Sequence, residues 1–273
     1  MSFKENVVIV TGASSGIGHE LALQLARQGA FLSLAARNEE RLNKIAESCK
    51  SLGARVLVVK TDVADEAQCK NLIDKTLAEY SRIDTLINNA GFGIRGQFSQ
   101  QPNLENFHKV MDVNYWGAVY CTRYALPHIL QTKGRIVGIS SLLGKLAMAG
   151  NSAYSSSKFA LVGFFDSLRL ELRKTGVTVT TIYPGYVVTE FAENMIQLDG
   201  TRVGERGRKF YLGWIMKADR CASLIIQVVD KRKRHLIMTF YGVLGTWLSF
   251  FSPRLLDAIT CWVSWWNKKR VIG

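Results

Sequence analysis

Apolar and polar positions follow two rhythms in this chain, and the rhythms take turns. Asn6–Thr11 is a continuous apolar run that stops at Gly12, as in a strand buried on both faces. Helical spacing follows through Leu21, Leu25 and Ala26 and ends near Gly29. The alternation predicts further strands over Phe31–Ala35, Arg55–Lys60, Thr85–Asn88, Ile136–Ser140 and Thr178–Tyr183. Between them it predicts helices over Glu39–Ser51, Asp65–Tyr80, Leu104–Leu130 and Ala153–Lys174, with Pro127 marking a kink or an end in the long one. Strands alternating with helices mean an α/β fold of right-handed βαβ units, with a parallel sheet covered on both faces. Ligands of such sheets bind beyond the C-terminal ends of the strands. No internal repeat and no Pro/Gly/Ser-rich linker interrupts the pattern.

Composition changes this picture in one respect. A length of 273 residues, 48% hydrophobic and 21% charged, suits one large globular α/β domain rather than a disordered chain. The net charge of +13 is unevenly spread. Residues 1–200 carry 21 Lys and Arg against 18 Asp and Glu, whereas residues 201–273 carry 14 against 4. The last part therefore expects an anion: lipid headgroups, nucleic acid or a phosphorylated ligand. The five cysteines, Cys49, Cys69, Cys121, Cys221 and Cys261, lack metal-ligand and redox spacing, so no metal is expected. Buried thiols, with no basic and apolar leader at the N-terminus, suggest a reduced, intracellular, cytoplasmic protein.

Candidate chemistry collects at the strand ends. Thr11-Gly12-Ala13-Ser14-Ser15-Gly16-Ile17-Gly18 joins the first strand to the first helix. Its glycines allow a tight turn and close approach of backbone to a pyrophosphate, and the helix N-terminus offers free N–H groups. The spacing Gly-x-x-x-Gly-x-Gly differs from the commoner dinucleotide fingerprint. The second strand ends Ala35-Ala36-Arg37, with no carboxylate at the turn. A carboxylate there would repel a ribose 2′-phosphate; Arg37 can bind one bidentately, which favours NADP(H) over NAD. Asp62, followed by Val63, can accept from an adenine amino group, or Asp62 or Asp65 can cap the next helix. Asn88-Asn89-Ala90-Gly91 closes the fourth strand with amides able to tie neighbouring strands and border the cofactor, or to make a turn.

Tyr154 and Lys158 are one turn apart on a helix and share a face. A free tyrosine hydroxyl has a pKa of about 10, so work near neutral pH requires a depression worth about 3–4 kcal/mol. A nearby ammonium can supply it. Ser141, just past a strand end and thirteen residues before Tyr154, can hydrogen-bond a substrate oxygen, with Ser140 as its rival. Asn114 is a polar residue among Val113, Tyr115 and Trp116, suited to a structural hydrogen bond or to holding a water that relays protons to Lys158.

Thr11–Gly18, Asn88–Gly91, Asn114, Ser141 with Tyr154 and Lys158, and Pro184-Gly185 with Thr189 occur in the order of the short-chain dehydrogenases/reductases, which the chain resembles over about Asn6–Tyr241. The resemblance implies a single Rossmann-like, doubly wound sheet of about seven parallel strands, the last at Leu236–Tyr241, with helices on both faces. It implies Tyr154 as general acid/base, Lys158 binding the ribose and lowering the tyrosine pKa, Ser141 orienting the substrate and Asn114 holding the relay water. Gly12, Ser14, Ser15, Gly16, Ile17 and Gly18 would cradle the pyrophosphate. Asp62 and Asn88 would border the adenine side and Ile182–Thr189, with Pro184, Gly185, Val187 and Thr189, the nicotinamide, while Val63, Ala90 and Gly91 would also contact the cofactor. Ala36-Arg37 looks like the NADP-preferring branch. A homodimer or homotetramer pairing through the long helices is implied as well.

In this family the segment after Pro184-Gly185 folds over the substrate. At 187–217 it carries Phe191, Met195, Ile196, Phe210, Tyr211, Trp214 and Met216, which suits an apolar carbonyl or alcohol such as a steroid, retinoid or lipid ketone. Gly93–Phe98 and Leu142–Met148 would line the remaining walls. The catalytic domain is thus expected over residues 1–243 and an extension over 244–273. Trp247, Phe250, Phe251, Trp262, Trp265 and Trp266, with Lys231-Arg232-Lys233-Arg234 before them and Lys268-Lys269-Arg270 after, suit attachment to an anionic membrane surface. A subunit contact, a cover on the substrate pocket and a membrane span are the alternatives, the last opposed by two glycines and Pro253. A non-catalytic nucleotide-sensing or scaffolding protein is the alternative to an oxidoreductase, opposed by the intact Ser141, Tyr154 and Lys158. Clustered tryptophans without a nucleic-acid motif argue against nucleic acid as a partner.

Overall fold

The computed structural model describes residues 3–197, 200–204 and 215–272, the side chains of 264–272 excepted. Seven strands form one parallel sheet in the order β3-β2-β1-β4-β5-β6-β9. They are β1 (Val7–Thr11), β2 (Phe31–Ala36), β3 (Val56–Lys60), β4 (Thr85–Asn88), β5 (Arg135–Ile139), β6 (Thr178–Tyr183) and β9 (His235–Ile237). A small second sheet pairs β7 (Val187–Val188) with β8 (Met216–Lys217). The order reverses between β1 and β4, which places the ligand crevice beyond their C-terminal ends.

Period-two alternation within the strands feeds two cores. Val8 and Val10 of β1 point to one face and Ile9 to the other. The first core packs under α1 (Gly16–Ala26), α2 (Glu39–Ser51) and α7 (Ala218–Asp230). The second packs under α3 (Glu66–Tyr80), α5 (Gly117–Thr132) and α6 (Ser152–Glu171). Cys49, Cys69, Cys121 and Cys221 are buried and Cys261 is exposed. Burial pushes the Cys49 thiol up to about 11 and Cys221 to about 12, so neither is poised as a nucleophile.

Two expected elements differ from those observed. The long helix is α4 (Glu105–Met111), a π-turn at Asp112–Trp116 and then α5, which passes through Pro127 to Thr132. Pro127 and Arg123 are both exposed, so the carbonyl that loses its donor faces solvent and the helix survives. The expected strand at Leu236–Tyr241 is instead the three-residue β9. The Thr239 hydroxyl accepts from Gly242 N–H at 3.2 Å and starts α8 (Phe240–Phe251). A short apolar run does not by itself distinguish strand from helix, and the cap decided it. The 243/244 boundary expected for the extension falls inside α8. α9 (Pro253–Ile272) follows. Gly242 and Gly245 are the buried positions of α8; a side chain at Gly245 would lie 2.8 Å from Leu146, so small residues let α8 settle on the turn after β5. No helix among the described residues is long and apolar enough to cross a membrane.

Candidate active site

The glycine-rich turn is shaped for close backbone approach. Gly12 has φ +65°, which a side chain would strain, and a Cβ there would stand 2.8 Å from Ala90 Cα. At Gly18 a Cβ would overlap the Gly12 carbonyl oxygen. Asn89 locks the turn by donating to the Thr11 and Gly12 carbonyls at 2.9 and 3.2 Å, the strand-tying role open to that amide. Ser15 is the N-cap of α1, but its side chain makes no capping bond, and the first turn has no acid. The N–H groups of Gly16, Ile17 and Gly18 therefore lack a side-chain acceptor at a positive helix end, the arrangement an anionic phosphate fits. Thr189 packs on Gly16, and its hydroxyl accepts from Phe191 N–H at 3.2 Å.

Arg37 is exposed past β2, with no ion-pair partner among the described residues. Asn38 takes the capping role beside it, accepting from Arg41 N–H at 2.9 Å. The capping alternative for Asp62 falls to Asp65, which accepts from Ala67 and Gln68 N–H at 2.9 and 3.1 Å. Asp62 accepts from Ala64 N–H at 3.1 Å and stays part-buried at the edge of the crevice. The Val63 side chain is buried and would lie 2.7 Å from a Cβ at Gly117, so only its backbone can face a ligand. Asn88 donates to the Thr122 hydroxyl at 3.1 Å while its buried Oδ1 has no partner, an acceptor waiting for a donor.

The catalytic candidates meet next to this cradle. A Cβ at Gly91, adjacent to Ala90, would stand 3.4 Å from Lys158 Nζ and 2.9 Å from Asn114 Oδ1. Lys158 is 3% exposed and donates to the Ile139 carbonyl at 3.0 Å; burial pulls its ammonium down to about 8. Its Nζ lies 5.7 Å from the centre of the Tyr154 ring, itself 8% exposed. Asn114 sits in the π-turn with its side chain engaged. Its Oδ1 accepts from Phe92 N–H, and its Nδ2 donates to the Phe92 carbonyl and the Ser157 hydroxyl, each at 3.0 Å. The side chain thus makes structural hydrogen bonds with both amide protons and one Oδ1 lone pair, leaving the second lone pair and the backbone carbonyl for a water. Ser140 is buried and aims its hydroxyl at the Lys158 carbonyl, 3.4 Å away, whereas Ser141 is half-buried and accepts from Leu143 N–H at 3.1 Å. Ser141 is thus the more exposed of the two.

The segment after β6 arches over Tyr154. Phe191 packs on the Tyr154 ring at 5.8 Å, and Met195 lies 3.1 Å from where a Cβ on Gly93 would be. Ile196 N–H donates to the Gly93 carbonyl at 2.9 Å, fastening the segment to the opposite wall. Val187 belongs to β7, and the Pro184 carbonyl accepts from Leu142 N–H at 3.0 Å. Phe210, Tyr211 and Trp214 lie outside the described residues. Two contacts escaped the sequence reading. Tyr241 and Thr239 reach the position where Gly185 would carry a side chain, so α8 borders the loop after β6. Arg41 pairs with Glu190 at 2.6 Å, joining α2 to the arch. Both pairs are distant in sequence and carry no local signal.

The sequence profile described as short chain dehydrogenase matches residues 6–198. The chain is 39% identical over 265 residues to a dehydrogenase/reductase SDR family protein 7-like of Dictyostelium discoideum, covering 95% of this chain and 82% of the relative. It is 37% identical over 256 residues to an 11-beta-hydroxysteroid dehydrogenase of Pinus massoniana, covering 92% and 72%. A short chain dehydrogenase/reductase from Burkholderia phymatum in complex with NAD superposes with a TM-score of 0.82 at 26% identity, over 93% of this chain and 96% of that one. An alcohol dehydrogenase from the archaeon Thermococcus sibiricus complexed with 5-hydroxy-NADP superposes with a TM-score of 0.74 at 27% identity, over 85% and 95%.

Proposed function

The chain belongs to the short-chain dehydrogenase family of oxidoreductases, and we propose that it moves a hydride between NADP(H) and a carbonyl or alcohol carbon of an apolar substrate. The observation that carries this reading is the contact chain Gly12–Ala90–Gly91–Lys158, which sets the phosphate cradle directly beside the buried Tyr154 and Lys158. The uncapped α1 N-terminus, the glycine cradle and the orphaned Asn88 Oδ1 all fit a dinucleotide. Gly12–Gly18 would hold the pyrophosphate, Arg37 the 2′-phosphate, Asp62 and Asn88 the adenine side, and Pro184, Gly185, Val187 and Thr189 the nicotinamide, with Val63, Ala90 and Gly91 also contacting the cofactor. Bound NADP(H) supplies or accepts the hydride. Tyr154 Oη gives the proton to the substrate oxygen or takes it back, Ser141 orients that oxygen, and Lys158 favours the tyrosinate electrostatically and binds the ribose. Asn114 would hold a water that relays protons to Lys158.

An apolar substrate is supported by Phe191 and Met195 over Tyr154 and by the hydroxysteroid dehydrogenase named among the relatives. We also propose pairing through the long helices, where Trp116 and Phe159 stay exposed, and attachment of the α8–α9 extension to an anionic membrane surface. The cofactor reading is tested by titrating wild type and Arg37→Asp with NADPH and NADH and following nicotinamide fluorescence. Wild type should bind NADPH more tightly; the substitution should weaken NADPH and improve NADH. Failure to bind either nucleotide would remove the oxidoreductase reading.

A further inference from the structure

A second concave site lies at the far edge of the sheet, away from the cofactor cradle. It is a solvent-open cleft of about 450 Å³ between edge strand β9, the turn after β5 and α8, lined by Lys145, His235, Ile237, Val243, Thr246 and Trp247. Its polar end is cationic. Lys145 Nζ rests 4.6 Å over the Tyr183 ring with no carboxylate partner among the described residues. Arg234 adjoins His235, and the acid facing this end, Asp166 of α6, is already held by Arg169 at 3.3 Å and Arg234 at 3.7 Å. The imidazole registers this field: burial, then Lys145 and Arg234, hold His235 below its ordinary value, with Asp166 acting weakly the other way. Its apolar wall continues outward. Trp247 is 61% exposed and stacks on Phe251, and Phe250 is 80% exposed. A cationic pocket opening onto an uncovered aromatic face matches an amphiphile with an anionic head.

We infer that this cleft seats the headgroup of an anionic phospholipid from a bilayer, with Lys145 against the phosphate and the Trp247–Phe251 face in the interfacial layer. This deepens, and rests on, the proposed membrane attachment. A tryptophan beside a cation is the pair that interfacial layers favour.

The test is cosedimentation with phosphatidylcholine vesicles, with and without phosphatidylglycerol, for wild type, Lys145→Gln and Lys145→Arg. Wild type should prefer the anionic vesicles. Lys145→Gln should bind them about fivefold more weakly, and Lys145→Arg should keep the preference. Melting temperature reports folding, and if Lys145→Gln unfolds, Lys145→Met makes the same test. An undiminished preference in the variants that remove the Lys145 charge overturns the headgroup site while leaving the anionic attachment standing, and equal binding of wild type to both vesicles overturns the site together with the anionic character of the attachment. Wild type that pellets with neither vesicle overturns both. If Trp247→Ser instead halves the mass in light scattering, the face belongs to a second copy, and the headgroup site is overturned.

Discussion

The crevice at the C-terminal strand ends and the α8–α9 extension treat the same residue types in opposite ways. In the crevice, polar groups are buried and tethered: Asn114 makes three hydrogen bonds, Asn89 two, and the Lys158 ammonium is nine-tenths enclosed against a single carbonyl. In the extension, Trp247, Phe250 and Phe251 stand in solvent, and so does Arg254. Burial raises the electrostatic stakes of every group in the first region, which is what chemistry requires. Exposure in the second stores the free energy of burial for whatever surface arrives. Substitutions in the crevice should therefore alter chemistry or folding, and substitutions in the extension should alter association alone.

The largest effect expected is on turnover. Tyr154→Phe should lower kcat/KM for a ketone substrate by about 10³-fold while NADPH affinity stays within a few fold. Activity near wild type would break the assignment of the proton to Tyr154. Lys158→Met separates activity from stability. Folding depresses the Lys158 pKa from 10.5 to about 8 by burial, so the unfolded chain binds more protons between those values. Wild-type stability should therefore be lowest below pH 8 and rise as pH climbs through the window towards 10.5. The methionine variant, without the buried charge, should lack that rise and be more stable at pH 7 by up to about 3 kcal/mol, while losing most activity. Urea melts at pH 7 and pH 10 measure both limbs; a variant less stable at pH 7 would contradict the uncompensated charge.

Gly18→Ala should cost about 1–3 kcal/mol by driving a methyl into the Gly12 carbonyl and weaken NADPH binding along with it. Equal melting temperatures would show that the cradle yields. The smallest effect belongs to the extension. Phe250→Ser should change unfolding free energy by less than about 0.5 kcal/mol yet reduce vesicle pelleting. A large loss of stability would mean that the face is covered within the molecule and would erase the contrast between the two regions.

Much of the site was legible because its parts are local. The Thr11–Gly18 turn, the Tyr154/Lys158 spacing and the missing carboxylate after Ala36 are each contained within a few residues. The burial of Ser140 against the Lys158 carbonyl was not legible, because it depends on where α6 packs against the strand end. Nor was the use of the Asn114 amide, since its partners, Phe92 and Ser157, are 22 and 43 residues away. Resemblance to the family extends the last strand to Tyr241, while the signal that starts the helix at Phe240 is one hydroxyl at Thr239.

The sequence by itself determined the alternation of strand and helix, the parallel sheet and the turn chemistry at its ends, because hydrophobic period and glycine placement act over single elements. Tertiary structure alone decided that Lys158 lies buried without a counter-charge among the described residues, that Phe191 covers Tyr154, and that α8 settles on its glycines with its aromatic face outward. Those outcomes depend on which elements meet across the sheet, and dielectric, packing and exposure are properties of that meeting rather than of any stretch of chain.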